Sequence, residues 1–233
     1  MIKANWPAPK NIIAGCTTRA DGNMATHVGD DLNTVLGNRE KFKASLGVAR
    51  EPLWLQQEHT ATIVCADNDF AKPPLADASF AEKPGNICVV MTADCLPILM
   101  CNKQATKVAA VHAGWRGLAD GILLRSIDAM QAAPEDLLVW FGPAISKDVF
   151  EVGDDVRDAF LSKKTALPAH FTEHKPGKYC CDMLAIARFQ LAQKGIFVSY
   201  GGEHCTYLDA NNFYSYRRDG KTGRMASFVF IAD

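Results

Sequence analysis

A short apolar run, Val108-Ala109-Ala110-Val111, leads directly into His112-Ala113-Gly114-Trp115-Arg116-Gly117, after which Leu118, Ile122, Ala129 and Met130 recur at helical spacing. This pattern describes a buried strand that turns through glycines into a helix. Comparable apolar runs occur at residues 87–92, 137–141 and 227–231. Strands of this kind alternating with helices predict an α/β or mixed α+β fold. The expected architecture is a single layered domain over residues 1–233, with a mixed β-sheet core flanked by helices. No linker, internal repeat or low-complexity tract divides the chain.

The remaining elements follow from the same signals. Residues 11–19 read as a strand. A helix is expected over Leu32 to Leu46, closed by Gly47. Residues 53–55 and 61–65 read as strand pieces, and 66–86 as a loop holding Lys72-Pro73-Pro74 and Lys83-Pro84-Gly85. One helix is expected over 117–131, ending before Pro134. Two more are expected at 153–163 and 181–194, joined by a polar loop with His170 and His174. Residues 197–200 read as a further strand, and the segment around Arg217-Arg218 as a surface strand.

Composition narrows the function. Hydrophobic residues make up 48% of the chain, enough for a substantial core without covalent staples. Lys and Arg total 25 against 26 Asp and Glu, a formal charge of −1, and no basic block suggests a nucleic-acid partner. The longest apolar stretch, 87–101, is interrupted by Asp94 and Pro97, so no membrane span is expected. The N-terminus has no apolar core of signal-peptide length. A soluble, cytoplasmic protein is expected, with its eight cysteines as free thiols and none in a Cys-x-x-Cys pair.

Three residues stand at the ends of apolar segments: His59 in Gln56-Gln57-Glu58-His59, Cys95 in Thr92-Ala93-Asp94-Cys95, and His112. If they converge, two imidazoles and a thiolate leave a fourth position open, the pattern of catalytic zinc, which would lower the pKa of a bound water. The alternative is a buried thiol and two hydrogen-bonded histidines. Cys95, His112 and Asp94 are the candidate catalytic residues, Asp94 either orienting a ligand, acting as a base, or capping a turn. Arg19, Arg116, Arg217 and Arg218 are candidate anion binders, Arg116 having the best context beside glycines at a helix start. Trp115 and Tyr207 are candidate pocket aromatics. His27, His170, His174 and His204 have no partner pattern and read as structural or surface residues.

Several stretches together resemble the YfiH-like family, also called the laccase-domain or multicopper polyphenol oxidoreductase-like family. They are residues 54–59, 91–97, 108–117, 142–145 with 150–153, 205–207, and 213–219 with 222–226. The similarity spans nearly the whole chain. It implies a single α/β domain with zinc held by His59, Cys95 and His112. It also implies purine nucleoside phosphorolysis on adenosine, inosine and methylthioadenosine, with adenosine deamination as a companion activity. Arg19, Arg116, Arg218 and Tyr207 become the expected substrate and phosphate contacts. The chain departs from the family pattern in two places: Glu58-His59-Thr60 replaces Val-His-Gly, and the segment after Arg19 is shorter, placing its substrate contacts in question.

Three further readings compete. A copper-dependent polyphenol oxidase acting on phenolic compounds would use Cu²⁺, with Met91 or Met100 as a weak ligand. Against it, the chain holds six histidines and no His-x-His pair, too few for a laccase's full copper set. A metal-free thiol hydrolase would use Cys95 as nucleophile and His112 as base. A non-enzymatic, metal-stabilised binding module would act on wall synthesis, in line with the role in peptidoglycan fidelity that the family resemblance implies.

Overall fold

In a computed structural model, which describes residues 1–232, the apolar runs become strands covered on both faces. The chain opens with β1 (Ile2–Lys3), β2 (Ile12–Cys16), α1 (Leu32–Leu46), β3 (Ile63–Cys65) and β4 (Ala78–Ala81). Its middle holds β5 (Cys88–Thr92), β6 (Leu96–Asn102), β7 (Val108–Ala113), α2 (Trp115–Ala119), α3 (Ile122–Met130) and β8 (Leu137–Phe141). It continues through β9 (Glu151–Gly153), α4 (Asp154–Ser162), β10 (Phe171–Lys175), β11 (Lys178–Cys181) and α5 (Met183–Gln193). The last elements are β12 (Tyr200–Gly201), α6 (Tyr216–Asp219) and β13 (Met225–Ile231).

These strands form three sheets. A four-stranded antiparallel sheet has the order β1-β2-β13-β5, and a six-stranded mixed sheet the order β12-β8-β6-β7-β4-β3. In the larger sheet only the outer pairs β12/β8 and β3/β4 are parallel. A small antiparallel sheet, β10-β11-β9, stands beside them.

The period-2 alternation of side chains sorts each strand between two layers. Ile98, Met100, Val111 and Phe141 pack with Ile122, Ile127 and Ile186 of the helices. Leu99, Cys101, Ala110 and Trp140 face Cys88, Val90, Met225 and Val229 across the gap between the two large sheets. Val89, Phe228 and Phe230 point the other way, onto Phe42 of α1 and Trp54. The molecule is therefore layered helix–sheet–sheet–helix, the expected mixed sheet core with flanking helices.

Several local expectations change. The segment 117–131 is two helices, because Gly121 adopts φ +85 between them. The loop 66–86 contains β4, and the polar loop before α5 contains the β10–β11 hairpin. Leu96–Asn102 is a central strand despite Pro97, which lies near its start with its carbonyl accepting from the Gly142 N–H at 2.9 Å. Residues 53–55 contribute one bridge, Leu53 to Cys88, rather than a strand. Of 197–200, only Tyr200 pairs, and Phe197 is 82% exposed. Arg217 and Arg218 lie in α6 rather than on a strand. All eight cysteines are free, and no helix among the described residues is long and apolar enough to cross a membrane.

Candidate metal centre

Three separate segments bring the two histidines and the cysteine together. Cys95 lies on the link from β5 of one large sheet to β6 of the other, His112 is the fifth residue of β7, and His59 projects from the loop before β3. One ligand atom from each lies within 4.8 Å of the others. Cys95 Sγ is 3.7 Å from His59 Nε2, and the two imidazoles meet edge to face with centroids 4.8 Å apart. Tetrahedral zinc with bonds of about 2.3 Å to sulfur and about 2.0 Å to nitrogen sets those two donors about 3.5 Å apart, so the site fits such an ion. Among the described residues this is the one such group of three or more.

Asp77, which the sequence did not single out, organises the centre. Its side chain is fully buried, and Oδ1 is 2.7 Å from His112 Nδ1, so the ring's Nε2 is free for the metal. The same carboxylate accepts from the His59 N–H at 3.0 Å, the Thr60 N–H at 2.6 Å and the Thr60 hydroxyl at 2.8 Å. These bonds hold His59 at φ +60, in the left-handed region that a residue with a Cβ rarely occupies. Gln57 anchors the preceding turn to the end of β5, donating to the Met91 carbonyl and accepting from the Met91 N–H. Glu58 points away, exposed and bonded to Gln56.

The glycines of the strand-to-helix turn have a packing role. A Cβ on Gly114 would press into His59 Cδ2 and lie 3.3 Å from Cys95 Sγ, and one on Gly117 would come within 2.8 Å of the Thr60 carbonyl. Only glycine lets the His59 loop sit against this turn.

The electrostatics favour a charged pair. Burial pushes the Cys95 thiol up, but the charge and hydrogen bond of His112, together with those of His59, outweigh it and bring it down to about 6. Burial pushes His112 down, but the Cys95 thiolate and Asp77 outweigh it and raise it to about 9. Thiolate is the form that binds metal.

The donors open into a cavity of about 630 Å³. Arg116, Arg217 and Arg224 line it, as do Trp115, Phe150 and Tyr216. Among the described residues none of these three arginines makes an ion pair. Arg224 is held by the Thr222 and Gly223 carbonyls. Burial draws it below its ordinary value, while the charges of Cys95 and Asp94 oppose that shift. His27 also lines the cavity, pushed down by burial and by the charges of Arg224 and Arg39. The short segment after Arg19 thus still reaches the site.

The structure does not bring every expected residue into the cavity. Asp94 lines it, at φ +96, but its carboxylate already accepts from the Thr206 hydroxyl and the Arg217 N–H, both at 2.6 Å. Arg19 stacks on Tyr214 and pairs with Asp219 at 3.6 Å, outside the lining. Arg218 donates to the carbonyls of Thr206, Tyr207 and Phe213 and to Asp219, and neither it nor Tyr207 lines the cavity. Met91 lines it, but its sulfur faces Arg39 Nη2 at 3.7 Å, and Met100 is buried in the core against the helices.

Residues 15–232 match a family model described as multi-copper polyphenol oxidoreductase laccase. A relative from Escherichia coli (strain K12), named purine nucleoside phosphorylase YfiH, is 41% identical over 99% of this chain and 98% of its own. One from Pseudomonas aeruginosa, also named a purine nucleoside phosphorylase, is 43% identical over 100% and 98%. Among solved structures, the Neisseria meningitidis protein NMB0706 superposes with a TM-score of 0.94 at 43% identity, covering 100% of this chain and 99% of that one. YlmD from Geobacillus stearothermophilus gives 0.89 at 31% identity, over 98% and 96%.

Proposed function

Since the chain belongs to the multi-copper polyphenol oxidoreductase laccase (YfiH) family, whose relatives are named as purine nucleoside phosphorylases, we propose that it is a metal-dependent purine nucleoside phosphorylase acting on adenosine, inosine and methylthioadenosine. One observation carries this reading: a His–Cys–His donor set faces a cavity whose arginines have no carboxylate partners among the described residues.

Phosphorolysis forms a bond from a phosphate oxygen to the ribose anomeric carbon as the bond to the purine nitrogen breaks, and the purine leaves with the electron pair. Arg116, Arg217 and Arg224 are the cavity's anion handles, suited to hold phosphate through paired N–H donors. The same positive lining stabilises charge developing on the departing base. Trp115, Phe150 and Tyr216 supply aromatic faces for the purine. A zinc ion held by His59, Cys95 and His112, with copper as the alternative occupant, would supply a Lewis acid at this end of the cavity. Asp94, with both oxygens on donors, serves as a positioning residue linking the Cys95 turn to α6. Adenosine deamination is a second activity expected of the same cavity.

The test is release of free purine from inosine by protein of measured metal content, with and without phosphate. Release that requires phosphate and yields ribose 1-phosphate is expected. Cys95→Ala should abolish it, and Arg224→Gln should lower kcat/KM for phosphate by roughly 10²-fold. Base release indifferent to phosphate, or none from zinc- or copper-loaded protein, would overturn the reading. The lowered Cys95 thiol favours a second reading for the metal-free chain, a thiolate nucleophile whose proton already rests on His112, the imidazolium then serving as acid. Zinc that leaves Cys95 open to iodoacetamide would favour it.

A further inference from the structure

The small sheet carries a second thiol, away from the metal centre. Phe171, Val152, Tyr179 and Cys181 face the core, so the opposite face is turned to solvent. On that face Cys180 of β11 stands directly across from Glu151 of β9. The β10–β11 register shifts between Glu173 and Lys175, and the irregularity falls on His174. The His174 ring lies between the other two, with Nδ1 3.9 Å from Cys180 Sγ and Nε2 2.8 Å from Glu151 Oε2.

A thiol, an imidazole and a carboxylate in that order form the arrangement of a base-assisted nucleophile. Glu151 fixes the ring with Nε2 as donor, which leaves Nδ1 to accept the thiol proton. The set does not suit a metal ion, because sulfur and carboxylate address different nitrogens of one ring. Cys95 has the same order with His112 and Asp77, but there the thiolate belongs to the candidate metal centre. Five of the remaining cysteines lack the arrangement. Burial pushes Cys16, Cys88, Cys101 and Cys181 up to about 12. Cys205 accepts from the Ser146 N–H and hydroxyl instead of facing a base.

We propose that Cys180, with His174 as base and Glu151 as positioning residue, is a modification site for low-molecular-weight disulfides of the glutathione class, and that the adduct narrows the mouth of the metal-centre cavity. Cys180 Sγ attacks one sulfur of the disulfide. A new S–S bond forms as the old one breaks, and the thiol proton passes through His174 to the leaving thiolate. The incoming disulfide is the oxidant, so no other electron acceptor is needed. Cys181 faces the opposite side of the strand and is fully buried, so it cannot resolve the mixed disulfide, which persists until an external thiol reverses it. Glu151 lines the cavity and its carbonyl accepts from Arg217, so an adduct beside it lies at the entrance.

The test incubates zinc-loaded protein with oxidised glutathione and maps adducts over time by mass spectrometry. Cys180 should be modified first, and Cys180→Ser should remove that adduct. His174→Gln, which keeps a donor for Glu151, should slow it at least about tenfold with unchanged melting. Equal rates at Cys65 or Cys205, or an unchanged rate in His174→Gln, would overturn the site. The adduct should also slow extraction of zinc by EDTA, reversibly with dithiothreitol, and an unchanged extraction rate would overturn the narrowing. Neither readout involves phosphorolysis, so failure of the proposed function would leave both informative.

Discussion

At the scale of single residues, the centre depends on one carboxylate and one missing methyl group. Asp77 receives donors from four residues, Glu58, His59, Thr60 and His112. The hydrogen bonds of His112 and Thr60, with the His112 charge, outweigh the effect of its burial and hold its carboxyl below the ordinary range. Asp77→Asn would leave one acceptor oxygen for these donors. It should destabilise the protein by about 1–3 kcal/mol and weaken metal binding about 10–100-fold, measured by urea unfolding and by competition with a chelating dye. Because the folded value is lowered, the carboxylate's contribution is complete above the unfolded value near 3.9 and is lost as pH falls through the lower folded value. That acid-side loss should be absent from the Asn variant's stability profile. Gly114→Ala should displace His59 and cost about 1–3 kcal/mol, with metal stoichiometry falling well below one per chain. His59, Cys95 and His112 were legible as reactive residues ending apolar segments. Asp77 was not, because a lone carboxylate in a proline-rich stretch looks the same whether it is solvated or buried among five donors. Arg218 was legible only as a cation, since nothing local reveals that backbone carbonyls from three residues would occupy its guanidinium.

At the scale of elements, glycines with opposite roles give opposite predictions. Gly37 lies within α1, exposed, with open space where a Cβ would go. Gly37→Ala should stabilise by up to about 1 kcal/mol through helix propensity. Gly121 also has open space, but its φ of +85 is what separates α2 from α3. Gly121→Ala should therefore destabilise by about 1 kcal/mol or more. Paired urea midpoints that move in opposite directions would check both, and a gain at Gly121 would contradict its left-handed role. The apolar spacing of 117–131 runs through the break without interruption, so periodicity describes one helix where the backbone makes two. The strand β6 was obscured by the reverse problem. Pro97 and Asp94 argue against a strand locally, yet pairing with β7 and β8 on either side overrides them.

At the scale of the whole molecule, the candidate metal centre joins the layers. Cys95 stands where the chain passes from one large sheet to the other, and His112 and His59 come from the second sheet and the loop beside it. An ion bound there should stabilise the folded state by about 1.4 kcal/mol for each tenfold rise in free metal above Kd. EDTA should accordingly lower the Tm of the wild type and leave that of Cys95→Ala unmoved. Equal Tm shifts in the two proteins would show that the chelator acts elsewhere. What the sequence determined by itself is the layered sheet-and-helix architecture and the residue types available for chemistry, because apolar periodicity and side-chain identity are properties of the chain. Only the tertiary structure decided which of those residues meet. Convergence of His59, Cys95 and His112, the placement of Arg224 rather than Arg19 in the cavity, and the burial of Asp77 all depend on how the two sheets stack, which is set by packing between segments far apart in the chain.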